Sequence, residues 1–500
     1  MKKILVLFSL IFIIQFSSFS QQIKGEILAD TANLTVVKIW GTHYERGFAY
    51  GYLCSSKIMS VWNNFVVPRY GAYLSLAKFI IGNSSHFNIP VVYVTEGQAM
   101  LDGLGAAGAD TSGLTYLDLF VVNFITDLEG FTSKSLPSQH CSSLLNWGDA
   151  TMGTDLNGKS VIAHHLDAPD IDTAITNNQV LVVHIPSESD EQPWLLTGTA
   201  GQFVASQTMN NSGLCVFLNT VDGFTGEQNK QYEPVTLTIR KAVEKKDYNN
   251  DGSDDVNDIK DAIYSNTNGY ASGFIVCAIA PSTLVYDSLI AIALELTPQQ
   301  PYITTRYVDF PDSINGINLY AANSMIKRNN AYDFCSRYNN VKNEINNTYN
   351  GINIGSQDNW NIMATKSTQI SNLQLIQVIP EDKIFKIAVS DTALLAYQKT
   401  PVIFDLDDFF SLPSAIYESI HENSGTLSIY PNPFTDVLII ENSYSDKIFL
   451  CEILDLKGNI ILKSSIKENK TLNLSNFNKG VYVLKIFLDN AVITRKIVKI

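Results

Sequence analysis

The sequence lacks the motifs of the commonest hydrolases. No G-x-S-x-G segment occurs, which excludes the usual nucleophile turn of serine hydrolases, and no H-E-x-x-H segment occurs, which excludes the zinc helix of metalloproteases. The seven histidines are scattered, and the adjacent His164 and His165 would point to opposite faces of a strand, so they cannot share a metal. Any hydrolytic chemistry therefore needs another type of nucleophile.

Basic residues are scarce relative to acidic ones. The chain has 35 lysines and arginines against 49 aspartates and glutamates, a net charge of −14. Such a charge repels phosphate backbones, so we expect no nucleic-acid partner. Beyond the N-terminus no apolar run is long enough to span a bilayer, so we expect no integral membrane anchor.

The six cysteines are few and evenly spread, without the paired spacing of a disulfide framework or a zinc site. Cys215 and Cys277 lie in apolar runs, which is typical of small buried thiols. Cys141 differs, because Ser-Gln-His precedes it and Ser-Ser follows. It is the candidate nucleophile.

Composition divides the chain into segments. Residues 1–20 combine two lysines, an apolar run and small residues, as a secretory signal peptide does. Residues 21–140 are predicted to be largely helical, whereas residues 141–410 alternate short strands with helices and indicate an α+β body. An acidic, turn-rich linker is expected at 411–425, and residues 426–500 predict a small all-β sandwich.

Residues 153–160 match the phosphate-loop pattern G-x-x-x-x-G-K-[ST]. That loop requires a helix after its lysine, but a β-like run ending near Pro169 follows here. We therefore predict a turn between antiparallel strands, in which Asn157 and Gly158 adopt positive φ angles.

An acidic segment has the spacing of a calcium loop with a glycine at its sixth position. Its candidate ligands are Asp247, Asn249, Asp251, Ser253, Asp255 and Asp258. A solvated acidic turn between two helices fits the sequence equally well. A calcium ion here would be structural, and we expect that catalysis requires no cofactor.

Cys141 could obtain a base by cutting its own chain. Attack of its thiol on the carbonyl of His140 would free the α-amino group of Cys141, whose ordinary pKa of about 7.7–8.0 suits a general base near neutrality. Nucleophile and base would then belong to one residue.

The C-terminal segment carries the first family resemblance. Tyr430-Pro-Asn-Pro433, the turn at Lys457-Gly458 and Lys479-Gly-Val-Tyr-Val483 resemble the C-terminal sorting domain of the type IX secretion system of Bacteroidetes. The resemblance implies that the secretion machinery is a partner and that the protein is exported through the periplasm and outer membrane, to be secreted or held at the cell surface.

The preceding body resembles the N-terminal-nucleophile (Ntn) hydrolases related to acyl-CoA:isopenicillin-N acyltransferase, conjugated bile acid hydrolases and linear-amide hydrolases. The matching segments are 41–51, Cys141-Ser-Ser, 158–167, 210–219, Ala321-Ala-Asn-Ser324 and Ser336-Arg-Tyr338. The resemblance implies a four-layer αββα body in which residues 21–140 form a propeptide or small chain and residues 141–410 the main chain.

The resemblance also implies residue roles. Cys141 would be nucleophile and base after cleavage between His140 and Cys141, and Asp167 would orient its amine. Asn219, with main-chain N–H groups, would form the oxyanion hole. Asn323 would hold the amine or the substrate carbonyl.

Two further positions follow from the same resemblance. Arg337 would favour the thiolate electrostatically. His164 would contact substrate, although arginine is common there in the family, so the substrate carboxylate role of that position is in doubt. These roles require Cys141 to lie opposite Asp167, which a wide loop at about 150–158 would achieve.

We therefore expect a secreted hydrolase or acyltransferase that acts on a non-peptide C–N amide bond of a small-molecule substrate through a thioester. A phospholipase-B-like lipid hydrolase of the same fold is one alternative. A catalytically silent cell-surface binding module is another.

Overall fold

The computed structural model describes residues 23–31, 33–131, 140–167, 172–282, 289–329, 335–368, 371–412, 427–431, 434–442, 449–455, 459–467, 470–487 and 492–499. The predicted signal peptide at 1–20 and nearly all of the predicted linker at 411–425 lie outside these residues. The chain divides into two compact units, residues 1–410 and residues 411–500.

The first unit contains twelve α-helices among the described residues. They are α1 (His43–Leu53), α2 (Ser55–Val61), α3 (Val67–Tyr70), α4 (Leu74–Gly82), α5 (Val91–Ala106), α6 (Tyr116–Leu128), α7 (Thr173–Thr176), α8 (Val235–Glu244), α9 (Val256–Tyr264), α10 (Ile326–Asn329), α11 (Ser336–Glu344) and α12 (Ser356–Lys366). Short π-helical turns join α2 to α3 and extend α11.

The strands of the first unit form two sheets. They are β1 (Gly25–Thr31), β2 (Leu34–Gly41), β3 (His140–Asn146), β4 (Val161–Asp167), β5 (Gln179–Pro186), β6 (Trp194–Thr199), β7 (Gln207–Asn210), β8 (Cys215–Val221), β9 (Gly273–Ile279), β10 (Ala291–Leu296), β11 (Ile303–Arg306), β12 (Asn318–Ala321), β13 (Asn372–Ile379), β14 (Ile384–Val389) and β15 (Val402–Asp405). One sheet has the order β1-β2-β5-β6-β7-β8-β9-β10-β11 and the other β12-β3-β4-β13-β14-β15.

The two sheets pack face to face between two helical layers. Ser143 of β3 contacts Asn219 of β8, and the ring of His164 on β4 packs against Phe217 with centroids 4.8 Å apart. Helices α1, α5, α6, α8 and α9 cover the nine-stranded sheet, while α11 and α12 cover the other. The predicted four-layer αββα body is confirmed.

The segment before Cys141 is less helical than the sequence predicted. Strands β1 and β2 precede the first helix, and β2 pairs in parallel with β5 over its whole length. Each residue of β2 is buried, Thr35 and Lys38 included, so the strand lacks the alternation that marks a half-exposed strand. The N-terminal segment is therefore part of the main sheet.

Helix α1 crosses α5 at close range because glycines line the contact. A Cβ atom at Gly47 would lie 2.3 Å from the carbonyl oxygen of Glu96, and one at Gly51 would lie 2.0 Å from that of Met100. Any side chain at either position would force the helices apart. The glycines of the 41–51 motif thus have a packing role.

The second unit is a small sandwich, as predicted. Its strands are β16 (Leu427–Tyr430), β17 (Val437–Asn442), β18 (Phe449–Leu454), β19 (Ile460–Ile466), β20 (Lys470–Asn473), β21 (Gly480–Phe487) and β22 (Val492–Lys499). They form a three-stranded sheet, β16-β17-β20, and a four-stranded sheet, β19-β18-β21-β22. Leu438 and Ile440 from the first sheet share one apolar core with Ile453 and Leu484 from the second.

Candidate active site

Cys141 lies at the beginning of β3, next to the end of β4. The antiparallel register pairs His140 with Asp167 and Cys141 with Leu166. The connection between the strands spans 147–160, so the expected wide loop is present. Asn157 and Gly158 adopt φ angles of 48° and 87°, and β4 rather than a helix follows, which confirms that this glycine-rich segment is a turn.

The thiol of Cys141 is buried, with 1% of the residue exposed. Burial raises its pKa to about 12, and the nearby Asp167 carboxylate acts in the same direction. Hydrogen bonds from the main chain of Asp167 and Thr220 and the charge of Arg337 oppose this rise. In the uncut chain the thiol is thus protonated near neutral pH, with stabilising groups for a negative charge already around it.

A chain of hydrogen bonds surrounds the thiol. Arg337, at the start of α11, donates from Nη1 to Asp167 Oδ2 at 3.0 Å and from Nη2 to the side-chain oxygen of Asn323. Asn323 donates in turn to the carbonyl oxygen of Thr220 at 2.6 Å. Asn372 donates to Asp167 Oδ1 at 3.1 Å. These hydrogen bonds connect residues of β4, β8, α11 and β13 beside Cys141.

The ion pair between Asp167 and Arg337 is almost fully buried. Burial disfavours the charge of Arg337, but Tyr320 and Asp167 outweigh that effect and hold its pKa above the ordinary value. A bidentate guanidinium with two different acceptors fixes the geometry of both. The pair therefore forms a rigid, charged side of the site.

Asn219 on β8 has a side chain that is already hydrogen-bonded at both ends. Its Nδ2 donates to the carbonyl oxygens of Ala321 and Ala322 at 3.2 and 3.4 Å, and its Oδ1 accepts from Ser143 Oγ at 3.0 Å. The oxyanion role of this side chain stays a prediction. The main chain of the next residue, Thr220, already contacts the sulfur.

His164 is fully buried between the sheets. Its Nδ1 lies 2.9 Å from Ser143 Oγ, and burial lowers its pKa to about 3, so the ring is neutral. With no exposed atom, His164 supports the site from inside the core rather than facing substrate in this form. Its neighbour His165 points the other way, to the carbonyl oxygen of Met363, as predicted for adjacent strand residues.

The candidate calcium loop connects α8 to α9. Both carboxylate oxygens of Asp258 accept main-chain N–H groups, from Tyr248 and Asn249 on one side and Asp255 on the other. Asp258 therefore acts as a helix-capping residue, and both of its carboxylate oxygens accept main-chain N–H groups. Among the described residues, no three carboxylates of this loop converge as a metal site does.

A second buried cluster surrounds His43 on α1. Its Nδ1 lies 2.6 Å from Glu96 Oε2 and its Nε2 lies 3.1 Å from Glu191 Oε1. Arg240 of α8 donates to Glu96 at 2.6 Å and to Glu244 at 3.0 Å. These residues form the His43 cluster together with Arg46, which pairs with Glu188 and Glu191.

The His43 cluster shifts several pKa values. Burial alone would lower the pKa of His43, but hydrogen bonds to Glu191 and Glu96 raise it to about 9. His43, Glu191 and Glu244 offer atoms within 4.8 Å of one another. Arg46 and Arg240 already occupy that space with positive charge, so the donor set does not suit a metal cation.

The structure brings together the five predicted catalytic residues, Cys141, Asp167, Asn219, Asn323 and Arg337. Sequence reasoning missed Thr220, Ser143 and Asn372. Ser143 could have been found by strand alternation, because it shares a face with Cys141. Asn372 carries no local signal, since it meets Asp167 only through the pairing of β13 with β4.

The C-terminal residues match a known family. Residues 428–500 match the family described as "Secretion system C-terminal sorting domain". The predicted type IX sorting domain is confirmed, and with it the export of the protein to the cell surface or beyond. Among the described residues no helix has the length and apolar character to cross a membrane.

Solved structures resemble this chain only distantly. An N-acylethanolamine-hydrolyzing acid amidase ortholog of Caenorhabditis elegans is 12% identical, with a TM-score of 0.36, over 53% of this chain and 100% of its own. A variant of the conjugated bile acid hydrolase of Clostridium perfringens is 10% identical, with a TM-score of 0.35, over 54% and 93%.

A third structure, penicillin V acylase from Agrobacterium tumefaciens, is 11% identical, with a TM-score of 0.29, over 53% of this chain and 92% of its own. The comparison with curated protein sequences gives no match.

Proposed function

We propose that this protein is an exported, self-cleaving cysteine hydrolase that acts on a non-peptide C–N amide bond through a thioester. One observation carries the proposal. The thiol of Cys141, the second residue of β3, contacts the main chain of Asp167 and Thr220. Arg337 and Asn323 connect the same two residues by hydrogen bonds.

The first reaction is an acyl shift within the chain. Cys141 Sγ bonds to the carbonyl carbon of His140 while the C–N bond breaks, and the thiol proton ends on the released amine. Water then cleaves the thioester, which leaves a carboxylate on His140 and restores the thiol. The main-chain N–H groups beside the sulfur and the Arg337 charge stabilise the negative charge that develops.

The second reaction repeats this chemistry on a substrate. The freed amine, with an ordinary pKa of about 7.7–8.0, takes the thiol proton that burial otherwise holds tightly. The thiolate attacks the substrate carbonyl carbon, and the amine part of the substrate leaves with the proton that the Cys141 amine had taken. Water then hydrolyses the thioester to a carboxylic acid and restores the thiol. Asp167 would orient the new amine, and its hydrogen bonds from Arg337 and Asn372 support this proposal.

A substrate comparison tests the proposal. Purified protein is assayed on simple acyl amides and on phospholipids of the same acyl chain, with Cys141→Ala as the control. Amide hydrolysis that disappears in the control supports the proposal. Hydrolysis of phospholipid alone would instead identify a phospholipase-B-like enzyme, and an uncut chain inactive on both would identify a binding module.

A further inference from the structure

Ser143 lies at the centre of a group of polar side chains between the two sheets. Its hydroxyl oxygen lies 2.9 Å from His164 Nδ1 and 3.0 Å from Asn219 Oδ1, and the thiol of Cys277 on β9 hydrogen-bonds to it as well. All four side chains are fully buried. Buried polar atoms need hydrogen-bond partners, so the positions of the protons in this group follow from the neighbouring atoms.

The orientation of the Asn219 amide follows from the atoms at its far end. That end faces the carbonyl oxygens of Ala321 and Ala322 at 3.2 and 3.4 Å, and carbonyl oxygens only accept hydrogen bonds. The amide nitrogen must lie there, which leaves the amide oxygen beside Ser143. Ser143 therefore donates its one proton to Asn219.

His164 must then donate a proton to Ser143. Because the hydroxyl proton of Ser143 is already used, its oxygen accepts from Nδ1–H of His164. Nε2 is bare in this tautomer, and it has no hydrogen-bond partner in the part of the chain that the structure describes. The opposite tautomer would bury an unpaired Nε2–H and make Nδ1 compete with the Asn219 oxygen for one proton, which leaves two unpaired atoms instead of one.

His164, Ser143 and Asn219 thus form a hydrogen-bond relay that ends on the carbonyl oxygens of Ala321 and Ala322. Members of the relay lie one to three positions from four residues around the thiol. The pairs are Ser143 with Cys141, Asn219 with Thr220, Ala322 with Asn323, and His164 with Asp167. A change in the relay would therefore shift these four segments relative to one another.

We propose that His164 is a positioning residue whose Nδ1–H group, through Ser143 and Asn219, fixes the segments that surround the Cys141 thiol. The inference rests on the proposed function, because its effect is on the self-cleavage and turnover of Cys141. The role requires no contact between His164 and substrate.

The tautomer of His164 is measured by NMR on Cys141→Ala with isotope-labelled histidine, which needs no chemistry. The His164 signals are assigned by their loss in His164→Asn. We expect a protonated Nδ1 and a bare Nε2, with no titration between about pH 5 and pH 8. A protonated Nε2, or a ring that titrates in this range, would overturn the relay.

Two substitutions separate the hydrogen bond of His164 from its packing. His164→Asn places an amide N–H near the position of Nδ1, whereas His164→Leu fills similar space without a donor. We expect His164→Leu to slow cleavage before Cys141 by about tenfold or more, and His164→Asn to stay within about threefold of wild type. Denaturant unfolding identifies the folded variants, and equal cleavage rates in both would contradict a role of the hydrogen bond.

Ser143→Ala tests whether His164 acts through Ser143. In this background His164→Leu should slow cleavage no further, because the relay is already broken, whereas additive losses would overturn the relay. In the processed enzyme, either single substitution should lower kcat and leave KM within about twofold of wild type.

The tautomer and the cleavage together separate this inference from the proposed function. An uncut wild-type chain with the expected tautomer would contradict the proposed function and leave the relay in place. A wild-type chain that cleaves before Cys141 but has the opposite tautomer would contradict the relay and leave the proposed function in place.

Discussion

Two buried polar clusters lie in the first unit, one around the Cys141 thiol and one around the His43 imidazole. In the His43 cluster each of Glu96, Glu191 and Glu244 contacts a positively charged group. Around Cys141 the ion pair of Asp167 with Arg337 lies beside a thiol that burial keeps protonated.

The contrast between the two clusters separates a structural role from a chemical one. Both clusters shift pKa values strongly, so a shifted pKa does not by itself identify an active site. The His43 cluster connects α1 and α5 to α8 and to the residues after β5, and its charges compensate one another. Of the two clusters, the one around Cys141 contains a sulfur atom that can act as a nucleophile.

Removal of the nucleophile should separate the clusters most sharply. Cys141→Ala is expected to abolish cleavage at this residue and to lower amide hydrolysis by about 10³-fold or more. Cys54→Ala is the matched control, because burial also raises the pKa of that thiol to about 12, whereas the ion pair near it, Lys57 with Asp30, is partly exposed. Loss of cleavage in both variants would contradict the assignment.

Removal of a charge from the His43 cluster should destabilise the fold instead. Arg240→Ala leaves Glu96 and Glu244 buried without this partner, which is expected to lower the free energy of unfolding by about 3–5 kcal/mol. Denaturant unfolding measures the loss. Lys241→Ala, at the next position of α8, should cost less than about 1 kcal/mol.

The folded fraction of Arg240→Ala should still hydrolyse substrate with wild-type kcat. A large fall in kcat for that fraction would show that the His43 cluster takes part in the chemistry. It would contradict a purely structural role of the cluster.

Loss of the two hydrogen bonds that Arg337 donates should affect the Cys141 site and not the His43 cluster. Arg337→Met frees Asp167 and Asn323, so we expect the cleavage rate to fall by about 10–100-fold. Arg337→Lys keeps the charge but not the two-acceptor geometry and should fall between this variant and wild type. Arg328→Lys, on α10, is the control, and an equal effect there would refute a specific role.

The stability of the His43 cluster should depend on pH. The pKa of His43 rises from about 6.5 in the unfolded chain to about 9 in the fold, so its contribution is complete below about pH 6.5 and is lost as the pH rises through 9. We expect on the order of 1–3 kcal/mol over this window in the free energy of unfolding. His43→Gln should flatten this part of the pH profile, and an unchanged slope would contradict the assignment.

Local patterns predicted much of this molecule because they report local geometry. The turn at Asn157 and Gly158, the paired strands β3 and β4, and the C-terminal sandwich all follow from short-range residue preferences. Strand β2 was missed because a fully buried strand has no alternation, and its partner β5 lies far along the chain.

The sequence named the candidate residues of the site, but it did not predict which of their side chains contact one another. Arg337 donates to both Asp167 and Asn323, and Asn372 donates to Asp167. These side chains meet only after the sheets assemble. The orientation of Asn219 toward Ala321 depends likewise on the packing of β12 beside β3.

The N-terminal sequence of the mature protein tests the central claim most directly. Intact-mass measurement and N-terminal sequencing of the purified wild-type chain should give a large fragment that begins with Cys141, and Cys141→Ala should remain uncut at this position. A wild-type chain that stays whole, or a fragment that begins at another residue, would contradict the account.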